Sequence, residues 1–128
     1  MMMRGIRGAI TVSADRPEEI LTETRKLVLE MAEQNRVDPE HVASVVISTT
    51  TDISSAFPAK AVRTIENWTY VPVMCTHEMD VPGSMPLCIR VMMHVNTAVG
   101  QKDIHHIYMN DAVKLRPDLL KDSKVEER

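Results

Sequence analysis

The spacing of apolar residues changes several times along this chain, and each change marks an element. "GIRGAITVSA" (Gly5–Ala14) combines short-period apolar spacing with β-branched residues, which predicts a first strand. Positions Ile20, Leu21, Thr24, Leu27, Val28 and Met31 then recur at helical intervals and predict a helix ending near Asn35. Its start is expected at Asp15, three residues ahead of Glu18 with Pro17 between them, an arrangement like a capping box. Asp38 followed by Pro39 repeats the start signal for a short helical turn. "ASVVISTTT" follows as a β-branched strand, and a second helix restarts at Pro58. "YVPVMCTHE" is strand-like, and Pro72 places it at an edge or a bulge. After the turn "VPGSMP" comes the strongest strand pattern of the chain, "LCIRVMMHVNT". "GQKDIHHIYMN" reads as a short turn or helix running into a strand, and "DAVKLRPD" closes the fold. The order β-α-β-α-β-β-β predicts an α/β (α+β) single domain, with one mixed β-sheet packed by helices. The domain is expected over residues 1–120, with a solvated, mobile tail at 121–128.

Composition narrows the classes of function. The chain has 128 residues, 44% of them apolar and 26% charged, which suits one globular domain with a real core. Net charge is −3, aromatic residues are 3%, and no block of Lys or Arg appears. Nucleic acid is therefore not the expected partner. No apolar run is long enough to span a bilayer, so no membrane partner is expected either. "MMMRGIRGAITV" lacks the basic-then-apolar pattern of an export signal, so the expected location is cytoplasmic. In that setting Cys75 and Cys88 are expected to be free thiols.

Candidate chemistry concentrates in "MCTHEMDVPG", where Cys75, His77, Glu78 and Asp80 fall within six positions. On a regular strand Cys75 and His77 share one face while Glu78 and Asp80 share the other, so the four do not converge on one metal. No Cys-x-x-Cys or His-Glu-x-x-His spacing elsewhere completes a tetrahedral set. A Cys75–His77 nucleophile is also poor, because no third group orients the base. That leaves Glu78 as a hydrogen-bond acceptor close to Arg90.

Arg90 is the most informative cation. Alternation puts it on one strand face with Cys88, Met92 and His94. A guanidinium on a largely apolar face needs an anion, either a ligand or a structural partner such as Glu78 or Asp80. Arg7 lies between Gly5 and Gly8, either as a surface arginine at a sheet edge or where a ligand approaches the backbone closely. Tyr108 reads as a core or rim residue. Lys60 and Arg63 stand about one helical turn apart, a stripe that equally suits a solvated face. The adjacent His105 and His106 point apart. Several cations, one phenol and one carboxylate suit a small dianion that is held and shaped rather than chemically attacked.

Taken in order, "RGIRGAITV", "FPAKAVR", "VPV-CTHEMDVPGS", "IRVMMHVNT" and "HHIYMNDAVKLRPDL" resemble the monofunctional chorismate mutases of the AroH class, over roughly positions 3 to 119. The resemblance implies rearrangement of chorismate to prephenate, on the route to phenylalanine and tyrosine, with no cofactor. It implies a homotrimer of α/β subunits with active sites between neighbours. It implies Arg7 and Tyr108 on a substrate carboxylate, Arg90 on the ether oxygen and nearby carboxylate, and Glu78 on the ring hydroxyl. It further implies Phe57, Ala59, Lys60 and Arg63 as a wall from the adjacent subunit. Val73, Met74 and Cys75 line the pocket, largely through backbone, and Leu115 and Arg116 belong to a C-terminal flap. Position 74 departs from the family pattern, with Met in place of a small polar residue. Binding through the backbone is expected to survive that change. The other readings are an imine or enamine deaminase of the RidA type, which also takes small carboxylates, and a non-catalytic carboxylate-binding protein.

Overall fold

The computed structural model describes residues 1–115. Arg116 and the tail at 121–128 lie outside the described residues.

Five strands form one sheet in the order β3-β2-β4-β1-β5. They are β1 (Met2–Thr11), β2 (Val42–Thr49), β3 (Val73–His77), β4 (Cys88–Thr97) and β5 (Ile107–Met109), with helices α1 (Pro17–Gln34) and α2 (Ala59–Arg63) in the first two crossovers. β4 runs antiparallel to both neighbours, β1 and β2, whereas the β2–β3 and β1–β5 pairs are parallel. The sheet is therefore mixed, and the element order is the one predicted from the sequence.

The central position of β4 follows from its alternation. Ile89, Val91, Met93 and Val95 are buried on one face, beside Ile6 and Ile10 of β1 and Val45 and Ile47 of β2. Burying each such side chain contributes about 1.5–3 kcal/mol. α1 covers this face with Ile20, Thr24, Leu27, Val28 and Met31, the helical stripe read from the sequence. Gly8 lets the helix come close. A Cβ at that position would collide with Met31 Sδ and lie 3.1 Å from Leu27 Cδ1. β3 is an edge strand, as Pro72 suggested, and the Pro72 carbonyl accepts from Val45 N–H at 2.9 Å.

Two local expectations are corrected. The first strand spans Met2–Thr11 rather than Gly5–Ala14, because β4 offers partners out to Thr97 for Met2 and stops at Cys88 for Thr11. The capping box at Asp15 does not form. Arg16 is the helix cap and gives no side-chain cap bond. The Asp15 carboxylate instead accepts from the backbone N–H groups of Ser54 and Ser55, each at 3.1 Å. Glu19, one position later than expected, accepts from Ser13 N–H and from Arg16. Asp38 does cap its short turn, accepting from Glu40 N–H at 3.0 Å.

Candidate active site

The second face of the sheet carries the unusual residues. Register pairs Tyr108 with Ala9, Ala9 with Arg90, Arg90 with Ser48, and Ser48 with Thr76. One row thus crosses all five strands with Arg90 at its centre. The next row pairs Arg7 with Met92, Met92 with Val46, and Val46 with Met74. Arg7 is diagonal to Arg90, which sets their Cα atoms roughly 7–8 Å apart. Tyr108 sits two strand spacings away, about 10 Å. The alternation that buries Ile89 and Val91 is what turns Arg90 to this side.

Arg90 is held by a carboxylate. Its Nε donates to Glu78 Oε2 at 3.0 Å, with the two side chains 47% and 27% exposed. Glu78 follows the last residue of β3, and its N–H reaches the Thr49 carbonyl at 2.8 Å. The pair is open enough to water that its own contribution to stability is small, about 0–1 kcal/mol. Because the ion pair uses Nε, the terminal amino groups of Arg90 are not the ones committed to Glu78. The structural partner proposed for Arg90 and the ligand-facing role are therefore compatible.

Tyr108 packs with Met85 and Leu115 against a small buried cluster of Ala9, Cys88 and Ala112. Leu115 stands at the end of the closing 3-10 helix Asn110–Leu115. Cys88 is fully buried beside Arg90, and burial pushes its thiol up in pKa, opposed chiefly by the Arg90 charge. His106 carried no expected role. Its ring Nδ1 accepts from the Arg7 backbone N–H at 2.9 Å, which ties β1 to the approach of β5. No local pattern signals that bond, since its partners are separated by most of the chain.

A second group gathers at the β3 edge, on the other side of the sheet. Ala59 N–H at the start of α2 donates to Cys75 Sγ at 3.3 Å. Burial raises the Cys75 pKa, partly offset by that N–H and by the Arg63 charge. Phe57 (75% exposed) stands open beside it, whereas Met74 (68% exposed), next to Cys75 on β3, belongs to the Arg7 row on the opposite face. Val73 is half-buried, and Lys60 and Arg63 are exposed. A cleft of about 400 Å³ runs here between Phe57, Cys75, Thr76 and His77. Within one chain, then, Arg90, Glu78, Arg7 and Tyr108 share a face, and Phe57, Ala59, Lys60, Arg63 and Cys75 do not reach it.

The Cys75–Asp80 cluster disperses. His77 Nε2 donates to the Ile53 carbonyl at 3.1 Å, while Glu78 turns to Arg90. Cys75 and Cys88 are both free thiols. Among the described residues, no three His, Cys, Asp or Glu side chains are grouped to hold a metal ion.

The family model for chorismate mutase type I matches residues 3–119. The chain belongs to that family. It is 52% identical over 119 residues to chorismate mutase AroH of Bacillus subtilis (strain 168), covering 93% of this chain and 94% of that protein. Chorismate mutase AroH of Thermus thermophilus is 48% identical over 119 residues, covering 92% of this chain and 97% of the relative. The solved structure of a chorismate mutase from Clostridium thermocellum superposes with a TM-score of 0.82 at 50% identity. That match covers 84% of this chain and 96% of the other. This type I chain is an enzyme, and chorismate mutases are isomerases of the intramolecular transferase kind. No described helix is long and apolar enough to cross a membrane.

Proposed function

We propose that this chain rearranges chorismate to prephenate at a site completed by a second copy of itself. The observation that carries the reading is the Arg90–Glu78 pair, set on the same sheet face as Arg7 and Tyr108. The reaction is a one-step rearrangement in which a C–O bond breaks as a C–C bond forms. It needs neither a covalent intermediate nor a proton donor, so no cofactor is required.

The residues divide the work. Arg7 and Tyr108 hold a carboxylate, and Glu78 accepts from the ring hydroxyl, which fixes the compact conformer in which the two ends of the molecule meet. Arg90 faces the ether oxygen, where negative charge grows as the C–O bond breaks. A guanidinium already held in place stabilises that charge most at the transition state.

The separation of the two groups supports an assembly, a homotrimer by family resemblance. The wall of Phe57, Ala59, Lys60 and Arg63 on one subunit would close over the Arg90 face of the next, with Val73, Met74 and Cys75 lining the pocket. Leu115 packs near Tyr108. We place the enzyme in the cytoplasm, in the route to phenylalanine and tyrosine.

The deciding experiment follows chorismate by absorbance with purified protein, identifies prephenate as product, and repeats the assay with a chelator. Rapid, chelator-insensitive conversion is expected, with a trimer in sedimentation. A folded protein that binds chorismate and leaves it unchanged would replace this reading with that of a carboxylate-binding protein. Loss of activity on chelation would restore a metal at the Cys75–Asp80 segment.

A further inference from the structure

Glu78 and Arg90 flank an excursion between β3 and β4 whose middle is open to solvent. Met79 and Val81 are 86% and 55% exposed, and Gly83 takes φ +84 at the turn. The excursion is fastened at its ends by one short segment after β2. At the first end, Glu78 N–H donates to the Thr49 carbonyl at 2.8 Å. At the second, Leu87 N–H donates to Asp52 Oδ2 at 2.9 Å and Cys88 N–H donates to Thr50 Oγ1 at 3.0 Å. The Thr50 hydroxyl in turn donates to Asp52 Oδ1, and Thr50 N–H donates to the Cys88 carbonyl at 3.0 Å. Two successive N–H groups at the entry to β4, those of Leu87 and Cys88, are thus satisfied by side chains.

Leu87 shows what the fastening holds. Its φ is +51, a left-handed conformation that a branched side chain adopts unfavourably. In that conformation its N–H faces Asp52 and its carbonyl accepts from Val12 N–H at 2.9 Å. Arg90 follows three residues later, so the turn at Leu87 sets where β4 begins and where the guanidinium stands opposite Glu78.

We propose that the Thr49–Asp52 segment is a clasp that positions the Glu78–Arg90 pair, with Asp52 as its positioning residue. The role in turnover rests on the chorismate mutase reading above; the clasp itself does not. Arg7 and Tyr108 lie on β1 and β5, outside the clasp. Loosening it therefore displaces the group that acts on the transition state, while the Arg7 and Tyr108 contact to a substrate carboxylate stays in place.

The test compares Asp52→Ala with Asp52→Asn in the full chain. Alanine removes both acceptors, and kcat should fall on the order of 10–100-fold, with KM rising by a smaller factor. Asparagine can still accept from Leu87 N–H while its amide donates to Thr50 Oγ1, so it should recover most of the loss. Adding Leu87→Gly to Asp52→Ala should restore part of kcat, because glycine takes the left-handed turn without help. Hydrogen exchange reads the clasp without turnover: the Leu87 and Cys88 amides should exchange faster in Asp52→Ala while the α1 amides keep their protection. Parental kcat in Asp52→Ala would overturn the proposal. So would equal losses in the alanine and asparagine variants, or unchanged exchange at Leu87 and Cys88. If the parent protein itself fails to turn over chorismate, the functional reading fails, and the exchange measurement still decides the clasp.

Discussion

Replacing Arg90 with alanine separates chemistry from stability more cleanly than any other change at this site. The folded protein loses one ion pair, of 3.0 Å, whose side chains are 47% and 27% exposed. Such a pair is worth about 0–1 kcal/mol, so the thermal midpoint should move by no more than about 6 °C. The transition state loses a preorganised donor at the oxygen that gains charge. By comparison with the loss of one oxyanion donor, that costs on the order of 3–4 kcal/mol or more, which is roughly a 10²–10³-fold fall in kcat. Arg90→Lys should recover little of it. A lysine ammonium is a single point charge on a flexible stem, and it cannot keep one nitrogen on Glu78 while offering a planar pair to the substrate. The assay is initial rate of chorismate disappearance over a range of substrate concentrations, with the midpoint measured on the same samples. Arg90→Ala with kcat within about threefold of the parent, in a folded assembly, would refute the electrostatic role.

Two further outcomes test the fold. Gly8→Ala pushes a Cβ into Met31 Sδ and Leu27 Cδ1 under a fully buried helix face, so urea denaturation should show a loss of about 1–3 kcal/mol; a gain would mean that α1 floats more freely than its packing indicates. Asp15 has its pKa lowered, first by the Ser55 hydroxyl; desolvation opposes this, and the N–H bonds from Ser54 and Ser55 add to the lowering. Its folded pKa lies below the unfolded one, so its contribution is present above the unfolded value and fades as pH falls through the folded value. Thermal midpoints measured from neutral pH down to about 3 should fall less steeply for Asp15→Asn than for the parent, and identical slopes would remove Asp15 from the acid response.

The parts of the fold that could be read in advance were those governed by local period. Alternation through Ile89, Arg90, Val91 and Met92 marked β4 and its two faces, and Pro72 marked an edge. The helical stripe from Ile20 to Met31 marked α1. What escaped was decided across the chain. Asp15 stood at capping-box spacing from Glu18, yet the Ser54 and Ser55 amides, some forty positions away, took its oxygens. Arg7, Arg90 and Tyr108 were each visible as odd residues. That they share a face depends on the pairing of Ala9 with both Arg90 and Tyr108, which no window of sequence contains. Asp52 gave no signal, because an aspartate after a threonine run is ordinary until Leu87 is known to turn left-handed beside it.

The pairing of β1 with β4 and β5 also has a consequence in time. Of the described strands, β1 is the first to leave the ribosome, and its partners are the last. Met2 must wait for Thr97. At about 5–20 residues per second, the interval is on the order of 5–20 s, during which Ile6 and Ile10 have no sheet to join. β2 and β3 emerge meanwhile as a parallel pair lacking the strand that will join them to β1. The sheet can therefore close only near the end of synthesis, when β4 inserts between β1 and β2 in one late, long-range step. A nascent chain halted before Cys88 should remain open to proteases along its whole length, and one carried past Leu115 should abruptly become resistant.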